Sequence, residues 1–401
     1  MSRAPLRLGV AGLGRAFTLM LPTLAADERV TIVAATDPFT PACERLAREF
    51  GARIHPNVEA LAADPGVDAI YVATPHQMHA AHIALAAAGG KHVLVEKPLA
   101  ISLSECDAII AATSAAGVHL IVGPSHSFDA PVLAARALIE SGEFGSVRML
   151  SAQMHTDFLY RPRRPEELDT AQGGGVVFSQ GAHQIDIVRL LAGGLATTVR
   201  AHTGNWDPAR PTEGAYAGLI GFAGGAFASV LYSGYGHYDS DEAMGWVTEL
   251  GGKKNADNYQ SGRARLAAVT DAADEMRRKA ARNYGGADYV PGAKPAHHEH
   301  FGSVLIACER GDLRLTPDGV AIYGSAGRRT HSLPPPIIPR KTVIDELTAA
   351  IFDGVPPLHD GAWSRATLEV CLALLESGRS CREVALTRQV ALARPVSSPQ
   401  A

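Results

Sequence analysis

The chain has 401 residues, 46% of them hydrophobic and 19% charged, and its formal net charge is −4. This length favours two domains, and the composition is that of an ordinary globular protein rather than a disordered or fibrous one. The slightly acidic charge argues against the basic surface that a nucleic-acid-binding protein needs.

The sequence also lacks membrane and disulfide signals. No apolar run reaches the roughly 18 residues of a transmembrane helix, and the run before Gly12 is too short for a secretory signal. The five cysteines are scattered and form no CxxC pair, which favours reduced thiols over a disulfide framework. We therefore expect a cytoplasmic protein with no membrane or nucleic-acid partner.

In the first third of the chain, predicted strands alternate with predicted helices. Such alternation is typical of βαβ units around a parallel sheet. The sequence therefore predicts an α/β Rossmann domain over 1–122. Its strands are predicted at 6–11, 30–36, 52–54, 67–73, 92–95 and 119–122, and its later helices at 40–50, 79–88 and 104–115.

A glycine turn joins the first strand to the first helix. Such a turn lets the backbone approach a pyrophosphate, and the helix N-terminus offers free N–H groups to it. Asp37 ends the second strand about 20 residues later, where an acid can accept the ribose hydroxyls of NAD. Its charge favours NAD, with NADP as the alternative, and Phe17 stands where the fingerprint usually has a third glycine. The turn residues predicted to contact the cofactor are Gly12, Gly14, Arg15, Ala16 and Phe17.

Residues 123–395 predict a second, α+β domain built on one large, mostly antiparallel open sheet. A polar insertion over 235–300 interrupts it, and the helical periodicity of 263–282 predicts a surface helix or a lid. The run 297–300 contains three histidines, but we expect a loop or strand start there and no metal site. The tail 396–401 is expected to be disordered. Strands are predicted from 145 to about 153 and at 199–204, 215–222, 226–232, 304–308, 312–315 and 319–323.

Several motifs, in this order and spacing, resemble the family of glucose–fructose oxidoreductase, inositol dehydrogenase and MocA-like dehydrogenases. The resemblance covers nearly the whole chain and implies a nicotinamide-dependent oxidoreductase. It also implies a homodimer or homotetramer formed through the open sheet. The motifs are Ala73–His76 with His79, Glu96–Pro98, Gly173–Gly175, Gly181–Asp186 and the closing stretch Glu346–Leu374.

The resemblance also implies roles for individual residues. Lys97 and His183 would be the acid–base pair, and a lysine beside a nicotinamide can relay a proton. Family members carry an acid four residues before this histidine, whereas this chain has Ser179. The residues implied to lie at the cofactor are Thr74, Pro75, His76, His79, Glu96 and Lys97.

A loop rich in arginine precedes the triple glycine. Arg161, Arg163 and Arg164, next to Tyr160, could bind carboxylates through their guanidinium groups, or the loop could be an ordinary solvated basic segment. Two stretches around the glycine turn and around Ser179 are most similar to the phthalate 4,5-cis-dihydrodiol dehydrogenase subgroup. This similarity implies oxidation of a carboxylated cis-dihydrodiol to a catechol. A sugar, inositol or other polyol dehydrogenase and a non-catalytic nicotinamide-binding regulator remain alternatives.

Overall fold

The computed structural model describes residues 3–258, 260–292 and 294–392. The chain divides into two compact units, and the first comprises Met1–Pro124, Ala272–Lys294 and Ile338–Arg365. The second comprises the remaining segments of the chain. This division differs from the expected uninterrupted domain over 123–395, because two later segments pack with the N-terminal sheet. The tail expected to be disordered, 396–401, lies outside the described residues.

The first unit is a doubly wound parallel sheet of six strands in the order β3-β2-β1-β4-β5-β6. The strand order reverses between β1 and β4, and such a crevice at the carboxyl ends of the strands is where ligands bind in open α/β sheets. Its elements up to Val122 are β1 (Leu6–Ala11), α1 (Arg15–Ala26), β2 (Val30–Thr36), α2 (Thr40–Phe50), β3 (Arg53–Ile54), α3 (Val58–Ala62), β4 (Ala69–Val72), α4 (His79–Ala88), β5 (His92–Val95), α5 (Leu103–Ala115) and β6 (Leu120–Val122).

Burial explains why the sequences of these strands are continuous apolar runs. All four residues of β4 and the last three of β5 are buried, because helices cover both faces of a parallel sheet. The predicted Rossmann domain is confirmed, and the predicted bounds of α2 and α4 are those of the structure. Helix α3 was not predicted, since a five-residue helix offers too little periodicity to read.

The second unit contains a sheet of nine strands, which is antiparallel except where β7 pairs with β10. The mostly antiparallel sheet expected from the sequence is therefore confirmed. The elements beyond Val122, in chain order, are α6 (Ala130–Glu140), β7 (Val147–His155), α7 (Ala182–Ala192), β8 (Ala196–Gly204), β9 (Ala215–Phe222), β10 (Phe227–Ser233), α8 (Ser261–Ala267), α9 (Ala272–Ala281), β11 (Ser303–Cys308), β12 (Gly311–Thr316), β13 (Gly319–Gly324), β14 (Gly327–Ser332), α10 (Lys341–Asp353), α11 (Gly361–Ser380) and β15 (Val384–Ala385).

Several of these elements differ from the sequence prediction. The charged stretch 263–282 forms two helices, α8 and α9, instead of one. Strands β14 and β15 were not predicted; β14 is mostly exposed, so it has no apolar alternation. In the part of the chain that the structure describes, no helix is long and apolar enough to cross a bilayer.

One face of the nine-stranded sheet packs against α6 and α7, while several large apolar side chains on the sheet are exposed. Met149 and Phe227 are neighbours in the register of β7 and β10, and both are exposed, as is Leu219 on β9. Exposed apolar side chains that cluster on a sheet are typical of a protein interface. The expected homodimer or homotetramer through this sheet stays a prediction.

Candidate active site

The glycine turn after β1 is shaped for close approach of a phosphate. Gly12 has φ +96°, and a Cβ atom there would lie 2.8 Å from the carbonyl oxygen of Ala73. Gly14 is the N-cap of α1, and no side chain among the described residues caps it. The N–H groups at this helix N-terminus point towards the turn and are suited to bind an anion, and Arg15 is exposed beside them.

Asp37 is held at the end of β2 by backbone amides. Its Oδ2 accepts the N–H of Leu13 at 2.6 Å and its Oδ1 accepts the N–H of Phe39 at 2.7 Å. Each oxygen keeps lone pairs that can accept a ribose hydroxyl. The turn and Asp37 therefore fit an adenosine diphosphate moiety, as predicted from the sequence.

The segment after β4 lies at the carboxyl edge of the sheet, next to the glycine turn. Thr74 and His76 are half-buried there, in reach of the crevice. His79 is fully buried, with Nδ1 2.9 Å from the carbonyl oxygen of Pro98 and Nε2 2.9 Å from that of Thr74. The His79 ring therefore joins two loops at the crevice, and its expected role at the cofactor stays a prediction.

Glu96 and Lys97 follow β5 at the same edge. The Glu96 carboxylate is buried and accepts the hydroxyl of Tyr71 at 2.5 Å, and burial raises the pKa of Glu96. This carboxylate faces the interior of the first unit, while Lys97 is half-buried. Lys97 is the residue of this pair that is suited to reach a ligand.

In the second unit, His183 lies in the first turn of α7, directly after a π-helical turn over Val177–Gly181. Ser179 lies in that π turn, whose hydrogen bonds span five residues instead of four. Ser179 and His183 are therefore not separated by one regular α-helical turn. Helix α7 is anchored by Asp186, which accepts hydrogen bonds from Ser127 and, at 2.9 Å, from Thr367.

His126 is the principal neighbour of His183. The two ring centroids are 4.7 Å apart, and the backbone N–H of His126 donates to Nδ1 of His183 at 3.4 Å. Phe301 contacts both rings, with centroid distances of 5.1 and 5.3 Å. Because Nδ1 accepts this hydrogen bond, the neutral His183 ring carries its proton on Nε2.

His126 is itself a buried cation. Its Nδ1 lies 2.6 Å from Asp129 and its Nε2 lies 3.4 Å from Glu249. Burial alone would lower the pKa of His126, but the charges and hydrogen bonds of Asp129 and Glu249 raise it to about 10. Ligand atoms of His126, Asp129 and Glu299 lie within 4.8 Å of one another, and we read this cluster as an imidazolium held by carboxylates.

The other members of the 297–300 run have separate partners. His297 pairs with Asp318 at 2.7 Å, while His298 and His300 bond carbonyl oxygens of two different segments. The run lies in a loop before β11, as predicted.

The buried imidazolium predicts a pH-dependent stability. A folded-state pKa of about 10, against the ordinary 6.5, gives His126 a stabilising contribution that is complete below pH 6.5 and disappears as the pH rises through about 10. The variant H126Q should therefore melt below the parent near pH 6.5, and the difference in Tm should shrink towards pH 10. The matched control H202Q changes an exposed histidine of β8. A Tm difference for H126Q that is constant over this range would contradict the assignment.

The three arginines of the loop after β7 have different surroundings. Arg164 pairs with Glu166 at 2.7 Å, so its charge is compensated. Arg163 stacks on the ring of Phe158 at 3.7 Å and donates to the carbonyl oxygen of the same residue at 2.8 Å. Arg161 is half-buried, lies over the same ring at 5.1 Å and has no ion-pair partner among the described residues.

A fourth arginine, Arg210, joins this group, and no local sequence pattern predicts it. Arg210 is buried, and its charge and that of Arg161 act on Arg163. Burial is the main reason that the pKa of Arg163 is lowered to about 10. The positive charges of Arg161 and Arg210 lower this pKa further, whereas the negative charge of Glu167 opposes the shift. We name Arg161, Arg163 and Arg210 the arginine cluster. Such a concentration of partly buried positive charge is suited to carboxylates.

Aromatic side chains connect the arginine cluster to His183 within the second unit. Tyr232 lies in the electrostatic range of Arg161 and Arg163. Its ring stacks on Phe301 with a centroid distance of 6.1 Å, and Phe301 contacts His183. Tyr160 packs its ring under the guanidinium of Arg263 at 3.8 Å, and its expected place in the substrate site stays a prediction. The second unit therefore contains the arginine cluster, which is suited to bind an anion, and His183, which can donate a hydrogen bond. Contacts of the rings of Tyr232 and Phe301 connect the two.

Comparisons with known proteins agree with this site. Two family models match: an oxidoreductase family with an NAD-binding Rossmann fold over residues 6–124, and the GFO/IDH/MocA C-terminal domain over 132–253. The 1-carboxy-3-chloro-3,4-dihydroxycyclohexa-1,5-diene dehydrogenase of Comamonas testosteroni is 45% identical over 377 residues, which are 93% of this chain and 95% of that protein.

More distant and structural relatives extend the comparison. Trans-1,2-dihydrobenzene-1,2-diol dehydrogenase of Macaca fuscata fuscata is 28% identical over 192 residues, which are 47% of this chain and 57% of that protein. A solved structure of a candidate dehydrogenase from Bordetella bronchiseptica RB50 superposes with a TM-score of 0.90. It has 41% identity and covers 95% of this chain and 100% of that one.

The Rossmann sheet, its glycine turn and Asp37 define an NAD-dependent oxidoreductase. The chain belongs to the GFO/IDH/MocA family. It is an NAD-binding dehydrogenase of the dihydrodiol and polyol type, so the expected family and the expected cofactor are confirmed. When bound, NAD would supply the hydride acceptor, and Gly12 and Asp37 would hold its adenosine diphosphate part.

Proposed function

We propose that this enzyme oxidises a carboxylated cis-dihydrodiol to the corresponding catechol. The arginine cluster carries the proposal, because sugars and inositols have no anionic group that would require it. Arg161 is a half-buried cation without an ion-pair partner among the described residues, and a substrate carboxylate would compensate its charge. The Comamonas testosteroni relative supports the assignment, since its name describes a ring with one carboxyl group and a 3,4-dihydroxy pair.

The local surroundings of two side chains suggest a division of roles. Lys97, as the neutral amine, accepts the proton of the reacting hydroxyl group at Nζ. His183, in the second unit, can donate its Nε2–H to a hydroxyl oxygen of the substrate, because its Nδ1 already accepts the backbone N–H of His126. The carbinol carbon loses its hydrogen as hydride, and the ketone formed tautomerises to an aromatic catechol, which favours the oxidation.

The first test is the substrate dependence of the variant R161Q. A hydrogen bond to a charged group contributes about 1.5–3 kcal/mol, so R161Q should raise KM about 10- to 100-fold for a carboxylated cis-dihydrodiol. The same diol without its carboxylate should be oxidised equally well by the parent and by R161Q. The rate of NAD reduction is measured from the absorbance of the NADH that forms.

The neighbouring variant R164Q is the matched control, because Arg164 already pairs with Glu166. It should change KM little for either diol. Equal losses of R161Q on both diols would contradict carboxylate recognition. Rapid turnover of inositol or sugars, with slow turnover of the carboxylated diol, would replace the proposal with the polyol dehydrogenase alternative.

A further inference from the structure

The polar insertion between β10 and β11 is shared between the two units. Its first helix, α8, belongs to the second unit, where Asp157 accepts the N–H groups of Gly262 at 2.6 Å and Arg263 at 3.1 Å. Its later part, Ala272–Lys294, belongs to the first unit. A segment that the chain order places within the second domain therefore packs with the cofactor-binding domain.

Tyr284 is the anchor of this later part. Its side chain is fully buried, and its hydroxyl donates to Oε2 of Glu49 on α2 at 2.6 Å. Its ring meets Phe17 of α1 edge-on at a centroid distance of 5.3 Å, and the guanidinium of Arg45 lies 5.1 Å from its centroid. Phe17 occupies the position at which the dinucleotide fingerprint usually has its third glycine. The ring of Tyr284 therefore packs on the side chain by which this chain departs from the fingerprint.

The backbone next to Tyr284 comes close to the start of α2. Gly285 has φ +77°, and a Cβ atom there would lie 2.7 Å from the Cα atom of Ala42. Main-chain hydrogen bonds hold this turn: the N–H of Asn283 donates to Ala280 and the N–H of Gly286 donates to Asn283, both at 2.9 Å. The turn therefore leaves the Asn283 side chain available for another task.

The carboxamide of Asn283 faces the glycine turn. Its Nδ2 lies 3.9 Å from the position that a Cβ atom on Gly14 would take. Its Oδ1 is buried, and no hydrogen-bond partner for it occurs among the described residues. Buried polar atoms in proteins are nearly always satisfied, so an unsatisfied carboxamide oxygen beside a phosphate-binding turn points to a ligand that carries a hydrogen-bond donor, such as a ribose hydroxyl.

We infer that the insertion completes the NAD site and that Asn283 contacts the cofactor beside Gly14, with Nδ2 donating to a diphosphate oxygen and Oδ1 accepting a ribose hydroxyl. Tyr284 and Gly285 fix the position of Asn283 by packing against α1 and α2. The cofactor site is then built from the N-terminal sheet and from a segment roughly 270 residues later in the chain. A purely structural brace would need Tyr284 but would not need the carboxamide of its neighbour.

The test measures the Kd of NADH by its fluorescence and the Kd of ADP-ribose by competition, without any turnover. N283A should weaken both ligands about 10-fold, the usual effect of losing one hydrogen bond to a charged group. N283D should weaken them further, because a carboxylate repels the diphosphate. Amide hydrogen exchange of 282–290 should slow when NADH binds to the parent enzyme.

The matched control V290A changes a side chain of the same segment that is 76% exposed, and it should leave both Kd values unchanged. Melting temperatures identify any variant that is destabilised. If N283D binds NADH within about two-fold of the parent, a difference of about 0.4 kcal/mol, and hydrogen exchange of 282–290 does not respond to NADH, the inference is wrong and the segment is only a brace.

Discussion

Replacing Lys97 by methionine is expected to lower kcat for diol oxidation about 10²- to 10⁴-fold, the range found when a general acid or base is removed. Lys97 lies just beyond β5, at the carboxyl edge where open α/β sheets bind their ligands. The adjacent Glu96 carboxylate cannot substitute for it, because it is buried and bonded to Tyr71. K97R should be similarly inactive, since a guanidinium does not lose its proton in proteins.

The measurement for Lys97 combines steady-state kinetics with the Kd of NADH. We expect kcat to fall while the Kd changes only a few-fold, since the proton acceptor acts on the substrate hydroxyl. K341M is the matched control, because Lys341 belongs to the same unit, is half-exposed and pairs with Asp345 at 2.7 Å. Retention of more than about one tenth of the parental kcat in K97M would exclude Lys97 as the general base.

Replacing His183 by alanine is expected to lower kcat about 10²-fold, at the lower end of the effect of a catalytic proton donor or acceptor. The ring holds its proton on Nε2 because Nδ1 accepts the backbone N–H of His126. H183A thus removes a hydrogen-bond donor to the substrate oxygen but leaves the base in place. The fall of kcat on the acid side of the pH profile should therefore remain in H183A.

The pH profile separates the two side chains. If the acid-side fall of kcat disappears in H183A and persists in K97R with residual activity, His183 is the base and the assigned roles are reversed. The variant H202Q, which changes an exposed histidine of β8, is the control for the general loss of an imidazole.

The sequence was most informative where local pattern and chemistry coincide. A buried parallel strand appears in the sequence as a short apolar run, and a helix between strands is indicated by the helical period of its apolar residues. The Rossmann sheet is therefore predicted with bounds that are close to those observed. The glycine turn and Asp37 could be located because their chemistry depends on a fixed spacing along one strand–turn–helix–strand segment.

Residues whose role depends on distant contacts could not be assigned in this way. His79 belongs to a motif of the resembling family, yet only the fold shows that both its ring nitrogens bond to loop carbonyls. The three arginines of the loop look equivalent in sequence, but Glu166 compensates Arg164 and leaves Arg161 without an ion-pair partner among the described residues.

By itself, the sequence determined the class of fold and the NAD-binding turn, because these follow from short-range periodicity and spacing, and the resemblance of its motifs indicated the family. Only the tertiary structure decided that Arg210 joins the arginine cluster, that His126 is the neighbour of His183, and that Asn283 faces Gly14. The physical reason is that charge compensation, burial and hydrogen-bond partners are set by residues that are far apart in the chain, and no local pattern records which of them the folded backbone brings into contact.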